Sequence, residues 1–237
     1  MNKKFQFSKP LVKLSGEMLG GDSGTGFDKS SLENFSEMIA ELVEKKITPS
    51  VVLGGGNLFR GGRNALPALK RFHGDYIGML ATVMNAICFA DHLEKHVKTR
   101  VFSAVAMPGI CESYQIDNVR KAVSDGYVCF FAGGTGNPFF STDTAAALRA
   151  IETGCDVLIK ATKVDGVYDS DPEKNPDAKK FETITYSEVL DKQLGVMDLM
   201  AIALCRENKL PLIVTSLAER GNLLKACIGD KIGTRVY

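Results

Sequence analysis

The stretch that decides the fold is "VVLGGGNLFRGG", residues 51–62. Val51, Val52 and Leu53 read as a buried strand, and the chain then runs straight into Gly54, Gly55 and Gly56. Glycine accepts positive φ and lets another group come close to bare amides, so such an ending marks a tight turn, an anion cradle or both. Outward from it, apolar β-branched runs alternate with segments of helical period. Strands are predicted at 11–14, 51–53, 101–104, 127–132, 157–159 and 212–215. That alternation is the mark of a mostly parallel sheet wrapped by helices.

The first helix has Leu32, Phe35, Met38, Ile39, Leu42 and Val43 on one face, with Ser30 and Glu33 spaced as a capping box. A second helical run extends from Lys70 through His96, with Met79 and Met84 expected as packing residues. The stretch "DSDPEKNPDAKK", 169–180, is rich in proline and charge and reads as a surface loop or flap.

With 237 residues, 45% of them hydrophobic, the chain is long enough for one sizeable core and one domain. A net charge of +1, both signs interspersed, points to neither a nucleic-acid face nor a cationic membrane anchor. The start "MNKKFQFSKPLVKLSG" lacks the anatomy of a secretory signal, and no stretch approaches about 18 consecutive apolar residues, so a cytoplasmic protein is expected. Six cysteines (Cys88, Cys111, Cys129, Cys155, Cys205 and Cys227) occur singly, without zinc-like spacing, and are expected as reduced, buried thiols. His92 and His96 fit a solvated helix face better than a metal motif.

Four loops follow predicted strands: "KLSGE" (13–17), "GGGNLFRGG" (54–62), "GGTGNPFFSTD" (133–143) and "KATKVDGVYDSDP" (160–172). In an open parallel sheet, loops at the carboxyl ends of strands gather at one edge. Glycine-rich backbone supplies N–H donors there, which together with lysine and arginine suits phosphate. Neither a GxxxxGK[ST] loop nor a GxGxxG fingerprint occurs, and the protein-kinase set is missing. Phosphoryl transfer needs cations beside the moving group. Lys13, Arg60 and Lys163 are candidates, with Asp143, Asp165 or Asp171 as carboxylates. No histidine is placed as a general base, which suits an acceptor already ionised, a phosphate or a carboxylate.

In order and spacing, "KLSGE", "VVLGGGNLFRG", "GDYIGMLATVMN", "AGGTGNPFFSTD", "KATKVDGVYDSDP", "TYSEVL" and "VMDLMA" resemble the bacterial uridylate (UMP) kinases of the amino acid kinase superfamily, from about residue 11 to the carboxyl terminus. The resemblance implies an α/β fold, a three-layer α/β/α sandwich on a mainly parallel sheet, in one domain over 1–237. Its N-terminal part would mainly take the phosphate acceptor and its C-terminal part ATP. The implied reaction passes the ATP γ-phosphate to UMP, giving UDP and ADP with Mg2+, in pyrimidine nucleotide synthesis.

By the same resemblance Lys13 and Lys163 flank the moving phosphoryl group, and Asp143 orients the lysines or the metal. Leu14, Ser15 and Gly16 join Lys13 in the ATP phosphate loop, and Gly56 and Arg60 also reach phosphates. Thr162, Tyr168 and Asp171 match ATP positions, Tyr168 toward the adenine and Asp171 toward its ribose. Gly55 faces the acceptor and Asp75 the UMP ribose. Thr135, Gly136, Asn137, Pro138, Phe139, Phe140, Ser141 and Thr142 match the segment that reads uracil, although Phe139 and Phe140 also suit plain core. Asp198 is explained equally well as a helix-start carboxylate.

Relatives of this kind are commonly homohexamers with GTP as activator and UTP as feedback inhibitor. The segment "GGDSGTGFD", 20–28, departs from the glycine-rich segment linked to GTP activation in many of them. Two other readings stay open: a superfamily enzyme acting on an amino acid carboxylate, and a nucleotide-binding sensor.

Overall fold

A computed structural model describes residues 6–60 and 68–237. Gly61 and Gly62 of the opening stretch and residues 1–5 lie outside the described residues.

Within them one sheet contains β1 (Pro10–Leu14), β2 (Ser50–Leu53), β3 (Thr99–Ser103), β4 (Glu112–Ser113), β5 (Val128–Ala132), β6 (Val157–Thr162), β7 (Thr183–Ile184), β8 (Leu212–Ser216) and β9 (Thr234–Val236). Their spatial order is β4-β3-β5-β2-β1-β6-β8-β9-β7. Every neighbouring pair is parallel except β8 with β9. Most of the strands are joined through helices, as parallel pairing requires: α1 (Lys29–Glu44), α2 (Arg71–Leu93), α3 (Ile116–Ser124), α4 (Thr142–Thr153), α5 (Tyr186–Asp191) and α6 (Leu199–Glu207), with α7 (Asn222–Ile228) leading into the antiparallel β9.

Side chains alternate between the faces of a strand, and the core divides accordingly. Val12, Leu14, Val51, Leu53 and Phe130 pack with Ile39 and Leu42 of α1, Phe89 and Leu93 of α2, and Leu223 of α7. Leu11, Val52, Phe131, Leu158 and Leu212 pack on the other side with Val119 of α3, Ala146 and Ala150 of α4, Val189 of α5 and Ile202 of α6. Each Leu, Ile or Phe removed from water contributes about 1.5–3 kcal/mol. The result is the expected three-layer α/β/α sandwich, with a mainly parallel sheet at its centre. Strands β5, β2, β1 and β6 are consecutive in space and parallel, so the four glycine- and lysine-bearing loops leave the same end of the sheet.

Several local expectations need correction. The α1 cap is Asp28, whose side chain accepts from the Ser31 N–H at 2.8 Å, and not a Ser30–Glu33 capping box. Ser30 instead donates its hydroxyl to Asp28 at 2.6 Å, because the helix begins one residue before it. Three short strands, β4, β7 and β9, escaped the periodicity because two or three residues carry no readable alternation.

Helix α2 is long and apolar enough, with a mean hydropathy of 1.3 over its best window, to cross a membrane by length and composition, yet half of that window is buried in the fold. Met79 is buried as expected. Met84 is 55% exposed, on an outward apolar face with Phe72, Tyr76, Leu80 and Ile87. His96 falls in the turn after α2, not on its face with His92. All six cysteines are free, three buried and three half-buried. Burial pushes the Cys129 and Cys227 thiols up to about 12, and those of Cys155 and Cys205 to about 11, which leaves them unreactive.

Candidate active site

The three glycines after β2 answer to three different neighbours. Gly54 donates its N–H to the Leu14 carbonyl at 2.9 Å. The loop after β1 is pressed against it: a Cβ on Gly16 would stand 2.5 Å from the Gly54 carbonyl and 2.7 Å from the Gly56 nitrogen. Gly55 meets α2, where an added Cβ would come within 2.8 Å of Ala81 Cβ and 2.9 Å of the Gly78 carbonyl. Gly56 is open, its nearest neighbour being the Glu17 side chain at 3.6 Å.

Buried polar groups of α2 fasten these loops. Asn85 Nδ2 donates to the Gly54 carbonyl at 2.6 Å and to Asn57 Oδ1 at 2.7 Å; Asn57 Nδ2 donates back to Asn85 Oδ1 at 3.0 Å and to the Gly26 carbonyl at 2.7 Å. Thr82 Oγ1 accepts the Gly133 N–H at 2.9 Å. Neither Thr82 nor Asn85 was singled out by the motifs. Their signal was a polar residue inside an otherwise apolar helix.

Lys13 and Lys160 are Cα partners in the pairing of β1 with β6 and point to the same side of the sheet. Asp143, in the first turn of α4, lies between them: Lys13 Nζ is 2.8 Å from Oδ1 and Lys160 Nζ is 2.6 Å from Oδ2. Lys160 also donates to the Val196 carbonyl at 2.6 Å. Burial pushes the Asp143 carboxyl up, but the two ammonium groups outweigh it and hold it below the ordinary carboxylate range. Burial pulls the Lys160 ammonium down despite the carboxylate beside it. Lys160 was absent from the expected site, although it opens the KATK motif.

Lys163, the other lysine of that motif, stands apart from this cluster. It is 74% exposed, and its Nζ is 3.9 Å from Glu17 Oε2. Arg60 reaches the same carboxylate, Nη2 to Oε1 at 2.5 Å, and its Nε donates to the Gly56 carbonyl. Lys13 and Lys163 are therefore held by different carboxylates.

One cavity reaches the Asp143 cluster through Lys160, and a second opens beside the start of α4; the two share Gln193, Leu194 and Gly195 in their linings. The first, of about 530 Å³, is lined by Lys160, Thr162, Tyr168, Asp171 and the 192–196 loop. Its rim is ordered locally: Tyr168 donates to Asp165, Thr162 to the Val164 carbonyl, and Asp171 accepts the Glu173 N–H and pairs with Lys174. Leu14 is buried in the core, and the Ser15 carbonyl accepts the Met18 N–H at the start of the 3-10 turn over Gly16–Ser23.

The second cavity, of about 950 Å³, is lined by Arg71, Asp75, Phe139, Phe140, Ser141 and Asp198 among others. Asp75 accepts from the Arg71 Nε at 3.0 Å and from the Phe139 N–H at 2.9 Å. Phe139 has φ +74, and Gly133, Gly134 and Gly136 have positive φ as well, so the segment turns sharply before α4. Within it Thr135 Oγ1 accepts the Asn137 N–H, and Pro138 is half-buried. Phe139 is 66% exposed and Phe140 is exposed too, which overturns the core reading of both. Thr142 opens α4 and Ser141 caps it by accepting the Thr144 N–H. Asp198 is indeed a cap, of α6, but it also accepts from Ser141 Oγ and from Thr144 Oγ1 at 2.8 Å. It ties the starts of α4 and α6 together. Among the described residues no three His, Cys, Asp or Glu side chains gather to hold a metal.

Cations and bare amides at the strand ends of an open α/β sheet, with two cavities nearby, are the equipment of a protein built for phosphoryl transfer. A model of the family described as "Amino acid kinase family" matches residues 9–216. The chain is 49% identical over 232 residues to the uridylate kinase of Alcanivorax borkumensis, covering 98% of this chain and 92% of that one. It is 49% identical to the uridylate kinase of Rickettsia bellii, with 95% of each covered. Among solved structures, UMP kinase from Bacillus anthracis superposes with a TM-score of 0.94 at 33% identity, covering 97% of this chain and 96% of that one. UMP kinase from Ureaplasma parvum does so at 0.90 and 35%, covering 98% and 99%. The chain belongs to the amino acid kinase family, among its bacterial uridylate kinases.

Proposed function

We propose that this chain transfers the γ-phosphoryl group of ATP to UMP, forming UDP and ADP, as a step of pyrimidine nucleotide synthesis. The observation that carries the reading is the Lys13–Asp143–Lys160 cluster, with one cavity lined by Lys160 and a second beside the start of α4, each large enough for a nucleotide. ATP takes the cavity of Thr162, Tyr168 and Asp171, with its phosphates against the amides of Leu14, Ser15, Gly16 and Gly56 and the cations Lys13, Arg60 and Lys163. UMP takes the other, its ribose on Asp75, its phosphate toward Gly55 and its base along residues 135–142.

An oxygen of the UMP phosphate attacks the γ-phosphorus, the bond to the β–γ bridging oxygen breaks, and ADP leaves with that electron pair. A phosphate monoester is already ionised near neutrality, so no general base is needed. The protein's task is to position two anions and neutralise the charge between them. Asp143 keeps Lys13 in place for that task. Mg2+ fits as an ion carried by the ATP phosphates, since Mg2+ commonly keeps few protein ligands. When bound, the ion would neutralise charge on the transferring phosphates, with Asp143 the carboxylate that would orient it or the lysines.

The N-terminal part of this single domain mainly takes the acceptor, and the C-terminal part mainly ATP. The outward apolar face of α2, with Tyr76, Leu80 and Met84, favours assembly with further copies as a homohexamer. GTP activation, UTP inhibition and a cytoplasmic location complete the proposal. Incubating the purified chain with ATP, Mg2+ and, in turn, UMP, CMP, dUMP, acetylglutamate and aspartate tests it. UDP formation with UMP is expected; turnover of a carboxylate acceptor alone, or none with any acceptor, overturns the reading.

A further inference from the structure

Glu17 closes the KLSGE motif but takes no part in the transfer just described. Its carboxylate receives Arg60 Nη2 at 2.5 Å on one oxygen and has Lys163 Nζ at 3.9 Å from the other. It also lies on the open side of Gly56, where a Cβ would stand 3.6 Å from Oε1. Two cations from distant loops and one bare glycine thus converge on a negative charge supplied by the chain itself.

We propose that Glu17 is a specificity-determining residue, its carboxylate standing in for a phosphate of the donor polyphosphate until a more highly charged anion displaces it. The inference rests on the reading of Gly56, Arg60 and Lys163 as donor-phosphate contacts. Ion pairs among partly exposed side chains are weak, so partners exchange readily. A polyphosphate brings more charge and more acceptor oxygens than one carboxylate and wins the exchange. A weak monoanion does not, because it meets cations already neutralised and a like charge beside them. Nucleotide binding on this side is then a swap of ion-pair partners, with Glu17 turned out toward solvent.

A purely structural ion pair and a displaceable one differ in sign. Glu17→Gln keeps the shape and removes the charge. Titrating inorganic triphosphate and ATP calorimetrically into the full-length protein, with adenosine as the uncharged control, should give triphosphate affinity about 2-fold to 5-fold tighter than the parent. Adenosine affinity should stay unchanged. Glu17→Asp, which retracts the charge by one methylene, should fall between the two and serves as the readout should the glutamine variant fold poorly. Unchanged or weaker triphosphate binding in a variant that melts like the parent overturns the proposal. UDP formation by the parent, measured in parallel, keeps the two failures apart. UDP without tightening sinks the role of Glu17 alone, whereas tightening without UDP supports that role and sinks the transfer reaction.

Discussion

Lys13 and Lys160 stand opposite each other in the β1–β6 register and grip the two oxygens of one carboxylate, Asp143, at 2.8 and 2.6 Å. The pairing is buried, so removing one partner would leave the others uncompensated.

Removing a preorganised cation from the transferring group should slow chemistry more than binding. Lys13→Ala is expected to reduce kcat about 100-fold to 1,000-fold while UMP affinity stays within a few-fold. Steady-state kinetics with direct UMP titration checks this. Turnover near the parent value would take Lys13 out of the transition state.

The depressed Asp143 carboxyl gives a signed acid response. Between its folded pKa and the unfolded value of about 3.9, the unfolded chain binds more protons, so stability rises with pH. The contribution is full above that window and is lost as pH falls through the folded value. Melting temperatures from pH 5 to pH 2 should therefore fall less steeply for Asp143→Asn than for the parent. Equal slopes would remove Asp143 from the acid response.

Asp75 holds the Phe139 amide as well as Arg71. Hydrogen bonds to a charged acceptor are worth about 1.5–3 kcal/mol, so Asp75→Asn should raise the KM for UMP by about 10-fold and that for ATP far less. Parallel rises in both would point to a folding role.

Neighbouring glycines should respond oppositely to alanine. At Gly55 the new methyl meets Ala81 and the Gly78 carbonyl inside 3 Å, and overpacking of this kind costs about 1–3 kcal/mol. At Gly56 there is room, and Gly56→Ala should melt within a few degrees of the parent. Thermal melts of the two variants decide it; equal melting temperatures would mean that α2 gives way.

Charge at the centre of the α2 face should split the homohexamer proposed above. Leu80→Asp with Met84→Asp is expected to yield smaller species than the parent in sedimentation, with the monomer fold kept. A variant of unchanged mass would place the contact elsewhere.

Much of this arrangement was legible before any coordinates. Strand ends at Leu14, Leu53 and Ala132 were visible where apolar runs stop, whereas β6 runs on to Thr162, three residues past its expected end at Ile159, so Lys160 lies in the strand and not in the loop; parallel order then brings those ends together. The edge strands β4, β7 and β9 were not, since so few residues show no period. Met84 was misplaced because helical spacing tells which residues share a face and not which face meets the sheet. Asn85, Thr82 and Glu17 gain their roles from neighbours tens of residues away, which no local pattern records.

By itself the sequence determined the α/β class, the four loops and the glycines and cations they carry, since these follow from local conformational preference and charge. Only the tertiary structure decided which lysine shares Asp143 and which meets Glu17. Pairing partners are set by the register between strands, and register is a property of two segments together that neither carries alone.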